Sequence, residues 1–344
     1  TLVTRYEYNS AGRVERITHP VGVRLRYSYD SVGHLIEISN DSTHCMVWRG
    51  DTKNAQQQWT QYTVGNGLST TLSYDTKFML KGMCTAAAAD TILVQQLSFN
   101  RRGQLLLRTE QRGTGGTNRE AFGYDAYNRL TTAQVNSAPE TFTGYLSSGN
   151  ISSTSFGGRY HYTILDKPYA VGEVLGSSSG SPALEVRFNS TFTADNRIGE
   201  MSNGECSSHF SYSPGGHRFA VNHYEQGQLQ WTKLYAESSE LVLNSRGGTE
   251  SIRTLIHAPT GVCAVYERTA SGQVVRYVHT DYLGSWLVLS DTLGQPEYHG
   301  SYDAWGRPRD PFTWELLPID PVNAFTSLNR MQPYLDRGYT GHAS

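Results

Sequence analysis

The sequence predicts an all-β protein in which β-hairpins follow one another along the chain and form a curled, mainly antiparallel sheet. Three observations lead to this prediction. The 344 residues contain 34 glycines and 22 tyrosines but only 17% charged residues, a composition typical of many strands joined by tight turns. An aromatic residue recurs four positions before a glycine or an asparagine. No segment of a dozen residues has the periodicity of an amphipathic helix.

A short motif repeats along the chain. Tyr8 precedes Gly12 by four residues, Tyr29 precedes Gly33 by the same distance, and an apolar residue follows each glycine two positions later. Further copies of varying quality are the pairs Phe99 and Gly103, Tyr124 and Asn128, Tyr145 and Gly149, Phe192 and Asn196, Tyr212 and Gly216, and Tyr302 and Gly306. Repetition at intervals of 20 to 25 residues indicates an array of similar structural units.

The spacing within the motif has a physical reason. The aromatic residue ends one strand, and an Asp or Asn directly after it can bond to the backbone of the turn. The residue four positions after the aromatic one needs positive φ, which Gly and Asn tolerate best. Tyr74 begins a degenerate copy, because Phe78 occupies the glycine position there. A lone hairpin is hardly stable in water, so successive hairpins are expected to share a sheet.

Two segments interrupt the repeats. Residues 176–182 are rich in Gly and Ser, which suits either a domain linker or a long loop between strands. We favour the loop, because the same motif resumes on both sides. Residues 322–335 are the best helix candidate, although Pro333 interrupts them.

Net charge, hydropathy and the spacing of Cys and His exclude several classes of function. With 29 basic and 31 acidic residues, no strong field draws the chain to nucleic acid. The longest apolar runs fall far short of a membrane-spanning helix. The cysteines are scattered, and the histidines lack ligand spacing, so we expect neither a metal nor another cofactor. The cysteines are Cys45, Cys84, Cys206 and Cys263.

The stretch of residues 277–294 contains the most reactive-looking pair, His279 and Asp281. Asp281 could orient His279 as a general base. Alternatively, both flank a hairpin corner completed by Gly284, where Asp favours local backbone bonds. The alternating strand before the pair and the apolar strand after it favour the corner. Since no phosphate loop, nucleophile elbow or other catalytic constellation is present, we predict no catalytic residue and no enzyme activity.

These features together resemble the Rhs or YD-repeat proteins. The likeness extends over nearly the whole chain, and residues 277–291, 301–311 and 336–342 resemble the Rhs-associated core. Its most specific parts are the unit at Tyr302, Gly306 and Arg307 and the tail at residues 336–342. Its motif positions in this sequence are His279, Asp281, Gly284, Arg337, Gly338, Tyr339, Gly341 and His342. We therefore predict repeats over residues 1–220 and a core segment over residues 221–344, continuous with the same sheet.

The resemblance implies a β-sheet coiled into a hollow shell that encloses a C-terminal effector, commonly a toxin used against competing bacteria or a host. The shells of insecticidal toxin complexes and of teneurins look similar. It further implies a secreted or cell-surface bacterial protein, with the effector as cargo and secretion machinery or surface glycans as other partners. Ala343 stands where relatives commonly have Glu, and Ser344 precedes the segment where relatives cut themselves, so autoproteolysis is not carried over. Since the chain begins at Thr1 without a leader, we expect a fragment whose export signal lies elsewhere.

Three functions follow as hypotheses. The first is a structural container segment, which acts by confinement. The second is an extracellular adhesion or glycan-binding module that uses exposed aromatic residues, with Trp48, Trp59, Trp231 and Trp314 as candidates. The third, a hydrolase, is least favoured because no catalytic constellation emerges. An open array also leaves unpaired backbone groups on its terminal strands, so we expect such a fragment to associate or to need neighbouring segments.

Overall fold

The computed structural model describes residues 2–87, 90–171, 173–175, 189–202 and 205–317. Within these ranges all regular secondary structure is β-strand. The prediction of an all-β hairpin array is therefore confirmed. The described ranges contain no helix that is long and apolar enough to cross a bilayer.

The first sheet has sixteen strands, and their order in the sheet is their order in the chain. They are β1 (Arg5–Tyr8), β2 (Val14–Thr18), β3 (Arg24–Tyr29), β4 (Leu35–Asn40), β5 (Met46–Lys53), β6 (Trp59–Val64), β7 (Ser69–Tyr74), β8 (Leu80–Ala86), β9 (Thr91–Phe99), β10 (Leu105–Arg112), β11 (Thr117–Tyr124), β12 (Leu130–Val135), β13 (Thr141–Tyr145), β14 (Ile151–Thr154), β15 (Gly158–His161) and β16 (Glu173–Leu175). Each pair of neighbours is antiparallel.

The second sheet has eleven strands in the same kind of meander. They are β17 (Asn189–Phe192), β18 (Ile198–Ser202), β19 (Cys206–Tyr212), β20 (Arg218–Glu225), β21 (Gln228–Ala236), β22 (Ser239–Asn244), β23 (Thr249–Ala258), β24 (Gly261–Thr269), β25 (Gly272–Thr280), β26 (Trp286–Ser290) and β27 (Pro296–His299). All of its pairings are antiparallel as well.

The described strands thus form two sheets. The change of sheet lies between β16 and β17, and the Gly/Ser-rich residues 176–182 between them fall outside the described ranges. The predicted division between residues 220 and 221 lies within β20, so the repeats run through it. The helix candidate at residues 322–335 also lies outside the described ranges.

Successive strands reverse direction at a common five-residue corner, seen first at residues 9–13. Asn9 N donates to Arg13 O at 2.8 Å, and Gly12 N donates to Asn9 O at 3.0 Å. The side-chain oxygen of Asn9 accepts the amides of Ala11 and Arg13. Gly12 has φ of 73°. This is a three-residue hairpin loop in which a type I turn is followed by a left-handed residue, and its polar first side chain satisfies the turn amides.

The same corner recurs along both sheets. Positive φ at its fourth residue is found at Gly33, Phe78, Gly103, Asn128, Gly149, Asn196, Gly216 and Gly306, as the spacing predicts. Six further corners, which do not follow an aromatic residue, have positive φ at Gly22, Gln57, Gly67, Gly247, Gly284 and Gly294. The residues before these six corners are Thr18, Lys53, Thr63, Leu243, Thr280 and Ser290. The aromatic residue is therefore dispensable for the reversal itself.

The two sheets share a hydrophobic core. Val21, Leu25 and Trp48 of the first sheet pack in one buried cluster with Ile256 and Val288 of the second. The indole Nε1 of the fully buried Trp48 donates to Thr260 Oγ1 at 3.0 Å. Burying large apolar side chains stabilises each by about 1.5 to 3 kcal/mol relative to exposure. Packing against the second sheet therefore stabilises the N-terminal hairpins of the first.

The second sheet is buried on both faces near its end. Ile256 belongs to the core shared with the first sheet, whereas its neighbour Leu255 packs in a second cluster with Trp286 and Tyr298. All five residues of β26 are buried. A strand that is buried on both faces has consecutive apolar residues instead of alternating apolar and polar ones. This burial explains the apolar sequence of β26.

Replacing Phe78 by glycine is expected to stabilise the protein by about 1 kcal/mol, because a residue with a Cβ is strained at positive φ. Phe78 has φ of 61° and is exposed, so little burial is lost. Urea unfolding measures the change. Gly12→Ala is the matched reverse substitution, since an added Cβ there meets nothing within 4 Å, and it should destabilise by a similar amount. A loss of stability in Phe78→Gly would contradict the strain.

Candidate functional site

His279 and Asp281 lie at the end of β25 and in the following corner, and they make no hydrogen bond to each other. Asp281 Oδ1 accepts the amides of Leu283 and Ser285 at 2.9 and 2.8 Å. His279 Nε2 lies 2.9 Å from Ser290 Oγ. Both side chains are buried. Burial lowers the pKa of His279 to about 4 and raises the pKa of Asp281. Asp281 therefore bonds within its corner and His279 lies in the core, and neither side chain faces solvent.

The corner at Asp303 repeats the same geometry with an added ion pair. Asp303 Oδ1 accepts the amides of Trp305 and Arg307, and its Oδ2 accepts Arg307 Nε at 2.7 Å. The Arg307 guanidinium lies 3.4 Å from the ring centroid of Phe156, which belongs to the turn between β14 and β15. This corner therefore contacts the first sheet.

The repeat tyrosines connect one corner to the next. The Tyr29 hydroxyl donates at 2.7 Å to the carbonyl of Val14, the residue directly after the corner at residues 9–13. The same bond joins Tyr74 to Trp59, Tyr124 to Leu105, Tyr145 to Leu130, Tyr162 to Ile151 and Tyr212 to Ile198, with distances between 2.7 and 3.0 Å. Each bond fixes the register of one hairpin against its predecessor.

Arginines in the last corner position reinforce this connection. Arg129 lies 4.3 Å from the ring centroid of Tyr145, on the next hairpin. Arg13 over Tyr29 and Arg197 over Tyr212 repeat the arrangement at 5.8 and 5.4 Å. A cation over an aromatic face contributes about 0.5 to 1 kcal/mol at exposed sites. The corners thus form a ladder of tyrosine and arginine contacts.

A buried charge network joins the first sheet to residues 299–316. Glu120 on β11 accepts Arg108 Nε at 2.8 Å and Arg309 Nη1 at 3.1 Å. Arg108 Nη2 also donates to the carbonyl of Tyr302 at 2.6 Å. Burial lowers the pKa of Arg309 to about 10, which still leaves it charged at neutral pH. One carboxylate therefore holds two arginines from distant parts of the chain.

A second group of charges extends this network along β10. Arg112 donates to Glu110 Oε1 at 2.7 Å and to the carbonyls of Leu287 and Gly300 at 2.9 and 2.6 Å. Glu110 also accepts Gln95 Nε2 at 2.8 Å. Nothing in the pattern of β10 points to this network, because alternating charges on a strand are typical of a solvent-facing side. The only sequence signal is that Arg309 belongs to the family-like segment 301–311.

One further polar cluster has the residue types of a hydrolytic site. Ser208 Oγ lies 3.1 Å from His223 Nδ1, and His223 Nε2 lies 3.8 Å from Glu225 Oε1. Ser208 and His223 are buried, and His223 stacks on Trp231 with centroids 4.9 Å apart. Burial lowers the pKa of His223. Because the Ser208 hydroxyl is buried, we expect this residue to pack within the sheet rather than to attack a substrate.

The tryptophan candidates for glycan binding require a correction. Trp48 and Trp314 are buried, so neither presents a stacking surface. Trp59 is half-buried and packs edge-on against Trp48 at 5.5 Å. Two of the four tryptophans predicted to bind glycans are therefore packed inside the protein.

The remaining predicted positions belong to the tail of the chain. Arg337, Gly338, Tyr339, Gly341 and His342 lie outside the described ranges. Within the described ranges, no group of three His, Cys, Asp or Glu side chains is placed to hold a metal ion.

Comparisons with known proteins agree with this geometry. Residues 8–43 match the family model described as RHS Repeat. A search of curated proteins found no match. The chain is similar to the crystal structures of TcdB2–TccC3 without its hypervariable C-terminal region (TM-score 0.69, covering 94% of this chain and 18% of that one) and of TcdB2–TccC3 (TM-score 0.69, covering 99% and 19%), both at 16% identity.

The Tc holotoxin pore of Photorhabdus luminescens is a further similar structure, with a TM-score of 0.66 and 16% identity over 94% of this chain and 18% of that one. At this identity the likeness shows the fold. The chain spans about one fifth of the length of the solved chains it matches. In this chain that fold is an array of antiparallel hairpins in two sheets.

Glu120→Gln is expected to destabilise the protein by roughly 3 to 5 kcal/mol, because it leaves two buried arginines without their carboxylate. Unfolding in urea measures the loss. Glu297→Gln is the control, since Glu297 pairs with Arg276 at the surface and such pairs contribute about 1 kcal/mol or less. Equal effects of the two substitutions would contradict the proposed importance of the buried network.

Proposed function

We propose that this chain is a wall segment of an Rhs-type container that encloses a polypeptide effector. The observation that carries the proposal is the likeness to TcdB2–TccC3 over 94 to 99% of the chain. One of those structures is described as lacking a hypervariable C-terminal region. The comparison supports a scaffold role, with the cargo supplied by another segment or chain.

The proposed mechanism is confinement, with no catalytic step. A wall must resist separation of its strands, and several neighbouring hairpins are joined by a tyrosine hydroxyl bond, with an arginine over the tyrosine ring at three of them. The polar groups that could suggest chemistry, His279 with Asp281 and Ser208 with His223, are buried. Their burial favours a packing role over a reaction with a diffusing substrate.

The cargo we propose is a toxic effector, kept away from the producing cell until delivery. On this account the protein acts outside the cell or at its surface in competition between bacteria, and a secretion machinery delivers it. Residues 221–344 serve as the Rhs-associated core that leads into the cargo. Support for this finer assignment comes from the sequence of residues 277–311 and the toxin-related neighbours.

Adhesion through surface glycans is the weaker alternative. It depends on exposed aromatic residues, and the burial of Trp48 and Trp314 removes the platform on which that hypothesis rested. No other contact in the described ranges favours it.

Protease protection tests the container. An unfolded, protease-sensitive polypeptide fused after Ser344 should be digested much more slowly than the same polypeptide alone, because an enclosed chain is out of reach of the protease. The same polypeptide fused before Thr1 controls for a general effect of fusion. Equal digestion of the free polypeptide and the C-terminal fusion would refute containment by this segment.

A further inference from the structure

Asn66 links the two sheets through a single side chain. It lies in the corner between β6 and β7, and its Nδ2 donates to Ser290 Oγ at 2.8 Å and to the carbonyl of Asp291 at 2.7 Å. Ser290 ends β26 and is fully buried. The amide of Asn66 therefore holds a corner of the first sheet against the end of β26.

His279 is part of the same link. Its Nε2 lies 2.9 Å from Ser290 Oγ, and its Nδ1 has no hydrogen-bond partner in the part of the chain that the structure describes. A neutral imidazole suits such a site, since only one ring nitrogen then carries a proton. An imidazolium presents two N–H donors, and the site offers one acceptor, Ser290 Oγ. This holds for either neutral tautomer.

Within the described ranges, no carboxylate pairs with the His279 ring. The carboxylates nearest along β25 and β26 are Asp281 and Asp291, and each accepts amides of its own corner. Tyr277, two residues before His279, is kept neutral, because burial raises its pKa to about 12. Burial alone lowers the pKa of His279 to about 4.

The charged groups that the first sheet brings to β26 do not help either. Arg112 reaches the carbonyl of Leu287 and is itself a cation, paired with Glu110. The group of the first sheet that contacts Ser290 is the uncharged amide of Asn66. Burial and the surrounding groups therefore both disfavour the protonated form of His279.

His19 occupies a comparable position at the start of the corner between β2 and β3. Neither ring nitrogen has a hydrogen-bond partner in the described ranges. Val21 of this corner is part of the core shared by the sheets, and Arg268 of the second sheet donates to the carbonyl of Pro20. Burial lowers the pKa of His19 to about 4, although the Glu237 carboxylate acts in the opposite direction.

We propose that the contact between the two sheets is sensitive to acid, so that protonation of His279 and His19 separates the sheets while their strands stay folded. We call the contact around Asn66, Ser290, His279, His19 and Val21 the sheet seam. This acid response concerns the two sheets themselves and does not depend on the container proposal.

The direction of the effect follows from linkage. A histidine with a lowered folded pKa contributes stability that is fully present above its ordinary pKa of 6.5 and is lost as the pH falls from 6.5 to about 4. A difference of about 2.5 pKa units lowers the equilibrium constant for the closed state by up to about 300-fold for each histidine. The seam is therefore predicted to open in mildly acidic solution.

Cys263 reports on the seam, because it is buried in the shared core. In a Cys45→Ser, Cys84→Ser, Cys206→Ser background, its reaction with 4,4′-dithiodipyridine, which modifies thiols in acid, is followed between pH 6.5 and about 4. We expect the rate to rise steeply as the pH falls, with an unchanged far-ultraviolet spectrum. The rise should be much smaller in the His19→Gln, His279→Gln variant, which carries no titratable ring at the seam.

His34→Gln is the matched control, since His34 is exposed and bonds Asp30 in an ordinary corner. It should leave the acid response unchanged. The proposal is overturned if the double variant keeps the full acid response, if His34→Gln abolishes it, or if the β-sheet spectrum is lost together with the protection of Cys263. The last result would mean that acid unfolds the whole protein rather than opening the seam.

Discussion

The local constraint on which this structure depends is the five-residue corner that reverses the chain after each strand. At residues 125–129, the carboxylate of Asp125 accepts the amides of Tyr127 and Arg129, and Asn128 takes the left-handed conformation. Amides that the turn leaves without a carbonyl partner are satisfied by this one side chain, so the reversal does not depend on neighbouring strands. A chain that reverses repeatedly in this way forms a meander.

The corner also determines what lies beside it. The residue before the corner and the residue after it face each other across the hairpin, as Tyr124 and Leu130 do. The tyrosine hydroxyl then reaches the preceding hairpin at Leu105, and Arg129 reaches the following one at Tyr145. The geometry of the corner thereby produces contacts between neighbouring hairpins, and the sheet is reinforced at the same edge where the chain reverses.

The contacts between the sheets are of a different kind. They depend on single side chains from distant parts of the sequence, such as Arg112 with the carbonyl of Leu287 and Asn66 with Ser290. Buried polar contacts of this type favour one alignment, because any other leaves an unpaired group in the core. The hairpins thus build the sheets, and the buried polar groups specify how the sheets meet.

The same distinction decides what the sequence could predict. Corners such as the one at residues 30–34 were predictable, because an aromatic residue, an Asp and a glycine lie within five positions. The corner at Gln57 was not, since Lys53 replaces the aromatic residue there and glutamine rarely has positive φ. Phe78 shows that the spacing outweighs the residue type.

Tertiary placement was beyond sequence reasoning. The division into two sheets, the burial of Trp48 and Trp314, and the network around Glu120 all depend on which strands meet after the chain has folded. The alternating Arg and Glu residues of β10 give the same sequence pattern whether the face that carries them is exposed to water or packed against other parts of the protein. His279 and Asp281 were recognised as flanking a corner, but the bond from His279 to Ser290 joins strands whose contact becomes visible only in three dimensions.

Residue-resolved amide hydrogen exchange tests the corner most directly. The amides of Arg13, His34 and Arg129 each donate to the Asn or Asp that begins their corner, so they should exchange slowly. The amides of Ser10, Ser31 and Ala126, one position after that side chain, should exchange fast. Similar rates for the two sets would contradict the claim that this side chain holds the turn.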